Sequence, residues 1–255
     1  MVKKLPLLFI AFCFMTLSVK SQEKSKTQYY KSDYSQGFIS VEKTMDKNGN
    51  TVLNTTVNAN FDNEKLDFTL STICDTDKMV NASKFVFDGT IDSNMNTVSF
   101  VGERVKGTKN ANFWAFRGDY KKDMSIDPEA QKFIEPKHKS MLRIPERTIP
   151  SFNVFAIVPN LKFDRKGTFK FNALDETKLY VRKNQAINYL GQEETNINGE
   201  NQRLHKFVHQ GKGMDPAYYW VNENKELVKI LLDGKYSFTL SNKDAILSDN
   251  AAKGN

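Results

Sequence analysis

Cysteine and histidine are scarce in this chain of 255 residues, which contains two cysteines and three histidines. Cys13 lies inside an apolar N-terminal segment, so Cys74 has no partner in the rest of the chain and an intramolecular disulfide is excluded. Stability must come from an ordinary core, and the hydrophobic fraction of 39% is compatible with one. Cys74 stands in the polar context "STICDTD". We predict that it is a small buried residue rather than a nucleophile.

Sequence motifs of common catalytic sites are also missing. The chain contains no Gly-x-Ser-x-Gly, no phosphate-binding glycine loop, no His-Glu-x-x-His and no Cys-x-x-Cys. The adjacent Glu193 and Glu194 would point to opposite faces of a strand, so they do not form an acid–base pair. We therefore assign no catalytic residue and no cofactor.

Two of the histidines, His205 and His209, are four residues apart in "QRLHKFVHQ". This segment reads as a strand, which places the two side chains on one face but about 13 Å apart. A single zinc ion cannot bridge that distance, because its ligand bonds are near 2 Å. One histidine together with Glu193 or Glu194 stays open as an alternative, but we assign no metal ligand.

Long apolar segments are limited to the N-terminus. "LPLLFIAFCFMTL" (5–17) follows two lysines, and the small residues Val19 and Ser21 precede Gln22. This arrangement is typical of a signal peptide that is cleaved before Gln22, and the run is too short to span a membrane as a helix. No later segment is apolar enough to do so. We predict a secreted or periplasmic protein without a transmembrane segment after cleavage.

Charge of one sign is not concentrated anywhere in the mature chain. The formal net charge is +7, and three of the lysines lie in the predicted signal peptide, which leaves about +4. Acidic and basic residues are interspersed, and no basic stripe alternates with aromatic residues. The sequence therefore predicts no binding of nucleic acid.

What the chain has in abundance is alternation of apolar and polar residues with a period of two. "GFISVEKTM", "TVLNTTVNANF" and "TFKFNAL" are examples, and turn signals such as Asn48-Gly49, Asn198-Gly199 and Asp233-Gly234 separate such segments. Helical periodicity is nearly absent. We predict a mostly β protein whose curved antiparallel sheet or sheets form a half-barrel or barrel-like architecture.

Breaks in the alternation indicate the organisation of the chain. The segment "RTIPSFNVFAIVPNLKF" (147–163) is strongly apolar and is bracketed by prolines, so it predicts a short helical or loop plug at one end of the sheet. The predicted units are a signal peptide (1–21), an N-terminal antiparallel half (22–120), a connector (121–142), a C-terminal antiparallel half (143–243) and a flexible tail (244–255).

Aromatic residues on the predicted strands and plug are the candidate binding residues. Such residues pack the core of most β proteins, but in barrels and half-barrels they also line a cavity for an apolar ligand. The predicted ligand-binding residues are Trp114, Phe116, Phe152, Phe155, Tyr218, Trp220, Tyr236 and Phe238.

The C-terminal part resembles an uncharacterised group of secreted bacterial proteins. Tyr189, Gly191 and Glu193 match a Tyr-x-Gly-x-Glu strand, and "WV" (220–221) and "LVK" (227–229) match the two strands that follow a glycine-containing hairpin in that group. The resemblance covers 143–240. It implies a fold similar to periplasmic half-barrel carriers, in which a curved antiparallel sheet surrounds a hydrophobic cavity.

The preferred function is therefore non-enzymatic. We expect a protein that binds a hydrophobic small molecule or lipid, or that acts in the cell envelope. Two alternatives stay open, namely a module that pairs with another envelope protein through a sheet edge, and a hydrolase, metal-assisted or not, whose residues are distant in sequence. A contiguous internal cavity would favour the binding protein, and an exposed flat apolar patch the interaction module. A cleft that joins His205 or His209 to acidic groups would favour the hydrolase.

Overall fold

A computed structural model describes most of the chain beyond its N-terminal segment. The described residues are 26–62, 64–75, 82–91, 96–104, 112–120, 140–145, 147–163, 167–175, 180–212 and 214–252. The predicted signal peptide and residues 121–139 of the predicted connector lie outside them.

The described residues form a single large sheet of fifteen strands. The strands of the N-terminal half are β1 (Lys26–Ser32), β2 (Gly37–Met45), β3 (Thr51–Phe61), β4 (Glu64–Cys74), β5 (Ala82–Ile91), β6 (Asn96–Arg104), β7 (Asn112–Tyr120) and β8 (Ser140–Ile144). Those of the C-terminal half are β9 (Thr148–Pro150), β10 (Thr168–Asp175), β11 (Tyr180–Ile197), β12 (Glu200–Gln210), β13 (Ala217–Val221), β14 (Leu227–Leu232) and β15 (Tyr236–Ser241). The prediction of a mostly antiparallel β fold is confirmed.

The two halves are continuous, because the first strand pairs with the last. β1 lies between β2 and β15, and its register places Tyr30 opposite Ile39 on one side and Leu240 on the other. Antiparallel pairs then extend outward in both directions, to β8 at one edge and to β10 on the other side, where β9 adds the last strand in parallel. β8 pairs with β7, so the N-terminal half extends to Ile144 rather than ending at residue 120.

The sheet curls so that its two edges come near each other. β8 and β9 are the edge strands, yet only three residues separate them in the chain. Four virtual bonds of 3.8 Å span at most about 15 Å between the Cα atoms of Ile144 and Thr148. A flat sheet of this width would place its edges far beyond that distance. The sheet is therefore strongly curved, and it stays unclosed because β8 and β9 do not pair.

The predicted plug lies on the inner face of this curve. Two 3₁₀ turns (Ser151–Asn153 and Val158–Asn160) flank a single helical turn, α1 (Val154–Ile157). This plug (151–160) contacts β2 and β3 from one half and β10 and β13 from the other. Val154 and Val158 are completely enclosed, Phe155 and Ile157 are buried, and Phe152 and Ala156 are partly buried. The plug thus links the two halves through the core.

Alternation along the strands of the C-terminal half divides their apolar side chains between two clusters. On β13, Ala217, Tyr219 and Val221 belong to the main core on the inner face. Trp220 is part of a smaller cluster on the outer face with Ile197, Leu204 and Val228. β14 contributes to both clusters, as expected for a strand that is covered on two sides.

The C-terminal segment forms a helix, α2 (Lys243–Ala252), where the sequence predicts a flexible tail. Its start has a local cause, because the side chain of Asn242 accepts a hydrogen bond from the backbone N–H of Ala245 at 2.7 Å. Ile246 is buried. In the described part of the chain no helix combines the length and apolarity that a membrane crossing requires.

Candidate functional site: a cavity between the plug and the sheet

A cavity of about 290 Å³ lies between the plug and both halves of the sheet. Its apolar wall comes from β3, β4, the plug, β10, β13, β14 and the loop before β13. These residues are Phe61, Leu66, Phe152, Phe155, Ala173, Met214, Ala217, Tyr219 and Leu232. Its polar wall comes mainly from β10 to β12 and the turn between β14 and β15, and consists of Ser151, Asp175, Arg182, Gln185, His209 and Asp233.

Aromatic rings in mutual contact form the apolar wall. Phe152 and Phe155 on the plug meet edge to face, with ring centroids 5.8 Å apart. Phe155 also approaches Tyr219 on β13, at 6.2 Å. Phe61 at the end of β3 meets Tyr236 on β15 at 4.9 Å. Edge-to-face pairs of this kind are favourable and hold each ring in one orientation. The wall is therefore a set of positioned rings.

The cationic group at the cavity is already paired. Arg182 Nη2 on β11 lies 2.7 Å from Asp175 Oδ2 on β10. The antiparallel register, in which Arg182 is opposite Ala173, brings the two side chains together. Ser151 closes this corner, since its hydroxyl donates to the carbonyl of Leu174 at 2.9 Å. Arg182 is thus engaged by a neighbouring carboxylate.

Gln185 is a completely buried amide at the wall, with 0% of its surface exposed. Its Nε2 donates to the carbonyl of Lys183 at 2.9 Å, which fixes the orientation of the amide. Its Oε1 has no hydrogen-bond partner in the described part of the chain. A Cβ atom at Gly211 would lie 2.0 Å from this oxygen, so the glycine makes room for the amide. The result is an unsatisfied acceptor beside the cavity, and such groups are rare in folded proteins.

His209 is the second buried polar side chain at this end, with 6% of its surface exposed. It packs between the rings of Phe171 at 5.1 Å and Tyr219 at 6.5 Å. Burial, and secondly the positive charge of Arg182, lower the pKa of His209 from 6.5 to about 4. The imidazole is therefore neutral at pH 7. Its Nδ1 lies 3.5 Å from the hydroxyl of Tyr219, and its Nε2 has no partner among the described residues.

The turn between β14 and β15 supplies an acidic group to the cavity. Asp233 adopts a left-handed backbone conformation with φ of 51°, as the Asp-Gly turn requires. Partial burial raises the pKa of Asp233, and the neighbouring carboxylate of Asp215 raises it further. Asp62 lies nearby and is paired with Lys235. In the described part of the chain Asp233 makes no ion pair.

A second depression of about 420 Å³ adjoins this site, and Gln185 lies between the two. Its wall is mostly polar and basic, with Arg147, Lys170 and asparagine side chains around Phe171. It lacks the aromatic enclosure of the first cavity, which we therefore take as the candidate site.

The structure separates the predicted ligand-binding residues into three groups. Phe152 and Phe155 line the cavity. Phe238 lies in the main core and Tyr236 packs against it, next to the cavity residue Phe61. The third group faces outward. It contains Tyr218 and Trp220, which neighbour the cavity residue Tyr219 on β13 but point the opposite way.

The side chains of the other two predicted residues, Trp114 and Phe116 on β7, lie outside the described part of the structure. Of the polar wall, the sequence singles out only His209, and only as a possible metal ligand. The one sequence signal for the cavity wall is the alternation in "AYYWV". It places Tyr219 on the face of the strand opposite to the predicted residues Tyr218 and Trp220.

The residues that carry the family resemblance have structural roles on the sheet. A bulge between Tyr189 and Gly191 shifts the register of β11, and Gly191 adopts φ of 113° there. Glu193 accepts a hydrogen bond from the indole N–H of Trp220 at 2.5 Å and pairs with Lys206 at 3.0 Å. These contacts fix β11, β12 and β13 to one another.

The bulge also builds a hydrogen-bonded chain through His205. Its Nε2 lies 3.1 Å from a carboxylate oxygen of Glu223, and its Nδ1 lies 2.9 Å from the hydroxyl of Tyr189. Burial and Glu223 raise the pKa of Tyr189, which opposes its use as a nucleophile. Phe163 stacks on the imidazole at 4.1 Å.

The described residues contain no cluster of three or more potential metal ligands. Cys74 is completely buried, as predicted, and lies 4.0 Å from the amide nitrogen of Asn153. Burial, reinforced by Asp75, raises the pKa of the Cys74 thiol to about 12, so the reactive thiolate is not formed at neutral pH.

Comparison of the chain with protein-family models, curated proteins and solved structures finds no match. The resemblance to half-barrel carriers therefore stays a prediction.

Proposed function

We propose that this chain is a secreted or periplasmic protein that binds a small hydrophobic or amphiphilic molecule in the cavity between plug and sheet. The observation that carries the proposal is the composition of the wall, in which four aromatic rings stand opposite buried polar groups. Ligand sites in proteins typically combine a mainly apolar lining with a few placed polar groups. A purely structural core would instead be filled by side chains.

The volume limits the size of the ligand. A water molecule in the liquid occupies about 30 Å³, so 290 Å³ corresponds to about ten non-hydrogen atoms. The cavity lies at the lower end of the usual range for ligand pockets. It suits a short alkyl chain, or one segment of a larger lipid whose remainder stays outside. A complete phospholipid does not fit inside it.

A matched pair of substitutions tests the location of binding. Leu232 lines the cavity and packs against the main core, whereas its neighbour Leu231 packs against the outer cluster. Both leucines are partly buried. Leu232→Trp should fill much of the cavity, and Leu231→Trp adds the same bulk on the other face.

The assay is fluorescence titration with N-phenyl-1-naphthylamine, an uncharged apolar probe whose naphthyl group matches the volume of the cavity while its phenylamino group stays at the mouth. We expect the parent and Leu231→Trp to bind it with similar affinity. Leu232→Trp should bind at least tenfold more weakly, a loss of about 1.4 kcal/mol. Circular dichroism should show that both variants are folded. Equal affinity in the two folded variants would place binding elsewhere, and absence of binding to the parent would overturn the proposal.

A further inference from the structure

We infer that the polar end of the cavity selects a ligand with a positively charged, hydrogen-bond-donating head, such as an alkylammonium, over a carboxylate of the same length. This inference rests on the proposed function, and it adds the chemistry of the ligand head. Three features of the cavity support it. They are a buried hydrogen-bond acceptor without a donor (the unsatisfied acceptor), a carboxylate without an ion-pair partner (the unpaired carboxylate) and a basic side chain that is already ion-paired (the engaged cation).

The unsatisfied acceptor is Oε1 of Gln185. Because Nε2 is committed to the carbonyl of Lys183, the amide presents only its oxygen to a further partner. A buried acceptor without a donor is costly, and an N–H group of a ligand supplies what is missing. A carboxylate has no donor and would place a second acceptor beside the first.

The unpaired carboxylate is Asp233. It lines the cavity, and in the described part of the chain it has no ion-pair partner. Its raised pKa reflects partial burial and the like charge of Asp215, which outweigh the opposing charges of Arg182 and Lys235. An ammonium group in the cavity would add a positive charge beside this carboxylate. A ligand carboxylate would add a third negative charge at the same place.

The engaged cation is Arg182, whose guanidinium group is positively charged at neutral pH and lines the cavity. Its pairing with Asp175 at 2.7 Å means that an anionic head would have to compete with an existing carboxylate. Arg182 lines the same cavity as His209 and Asp233, and its charge lowers the pKa of both. The ring faces of the apolar wall also favour a cation over an anion.

The test is displacement of N-phenyl-1-naphthylamine by three ten-carbon competitors at pH 7, which are decylammonium, 1-decanol and decanoate. We expect decylammonium to compete at least tenfold better than decanoate, with decanol between them. High salt should narrow this difference, because screening weakens the attraction to Asp233.

Asp233→Asn removes the unpaired charge without a large change of shape. It should reduce the preference for decylammonium over decanoate at least threefold, when each competitor is compared with the affinity of the same variant for the uncharged probe. Glu200→Gln, which neutralises an exposed carboxylate on the hairpin between β11 and β12, should leave this preference unchanged. This control separates a local effect from the change in net charge.

The outcomes distinguish the two proposals. Equal competition by all three molecules, or better competition by decanoate, overturns the inference about the head while binding in the cavity stands. An unchanged preference in the folded Asp233→Asn variant also overturns it. Failure of the parent to bind the probe overturns both proposals.

Discussion

Lowering the pH should destabilise the protein through His209. In the folded state this imidazole is buried and has a pKa of about 4, whereas in the unfolded chain its pKa is near 6.5. Below pH 6.5 the His209 imidazole therefore binds a proton in the unfolded state, whereas in the folded state it stays neutral until the pH falls further. The contribution of neutral His209 to the free energy of unfolding is fully present above pH 6.5. It decreases as the pH falls and no longer changes below pH 4. Each unit of pKa difference corresponds to about 1.4 kcal/mol, so the total loss is about 3 kcal/mol, of which about 2 kcal/mol is lost by pH 5.

The assay is urea denaturation at a series of pH values between 7.5 and 4, with the parent and His209→Gln compared at each pH. Other groups also titrate in this range, so the informative quantity is the difference between the two proteins. Gln210→Ala, an exposed neighbour on β12, serves as the control and should follow the parent. If His209→Gln loses as much free energy of unfolding between pH 7 and pH 5 as the parent does, His209 is not buried as a neutral group and the description of the polar wall fails.

Four further predictions address the rest of the molecule. Trp220→Ala should lower the free energy of unfolding by about 3–5 kcal/mol in urea denaturation. The folded fraction of this variant should bind the probe with unchanged affinity, because Trp220 packs on the outer face. Ile230→Asp should cost several kcal/mol and prevent folding, as seen by circular dichroism, since Ile230 is fully buried in the main core; a parent-like melting curve would contradict the sheet assignment. Cys74→Ala should cost about 1 kcal/mol and retain probe binding, and loss of binding in the folded variant would reveal a role for the thiol. Mass spectrometry of the protein secreted by a Gram-negative host should find a mature chain that begins at or close to Gln22, and an intact Met1 in the membrane fraction would contradict the predicted cleavage.

The strands could be predicted from the sequence because apolar and polar residues alternate along a half-buried strand. On β3 the buried residues are alternate ones, from Thr51 to Ala59, and the Asn48-Gly49 turn ahead of them defines the hairpin. The plug could be predicted for the same reason, since prolines limit a short apolar run. These features depend on neighbours within about ten residues.

The features that could not be predicted depend on contacts between distant residues. Nothing local indicates that β1 pairs with β15, because either strand would accept many partners with the same pattern. The alternation along β13 also does not reveal which of its two faces turns inward. The sequence therefore predicts Tyr218 and Trp220 as ligand-binding residues, whereas Tyr219 lines the cavity. α2 was missed because its sequence is short and has little helical periodicity, and its start depends on one side chain of Asn242.

The cavity belongs to neither half of the chain alone. Phe61 and Leu66 reach it from β3 and β4, Tyr219 from β13, and Phe152 and Phe155 from the plug that contacts both halves. The pairing of β1 with β15 sets the distance between these walls. Loss of that pairing would therefore open the cavity as well as divide the core, so ligand binding should depend on the complete sheet. The polar end is assembled in the same way, from three adjacent strands and a turn, and its selectivity lies in their spacing rather than in a motif.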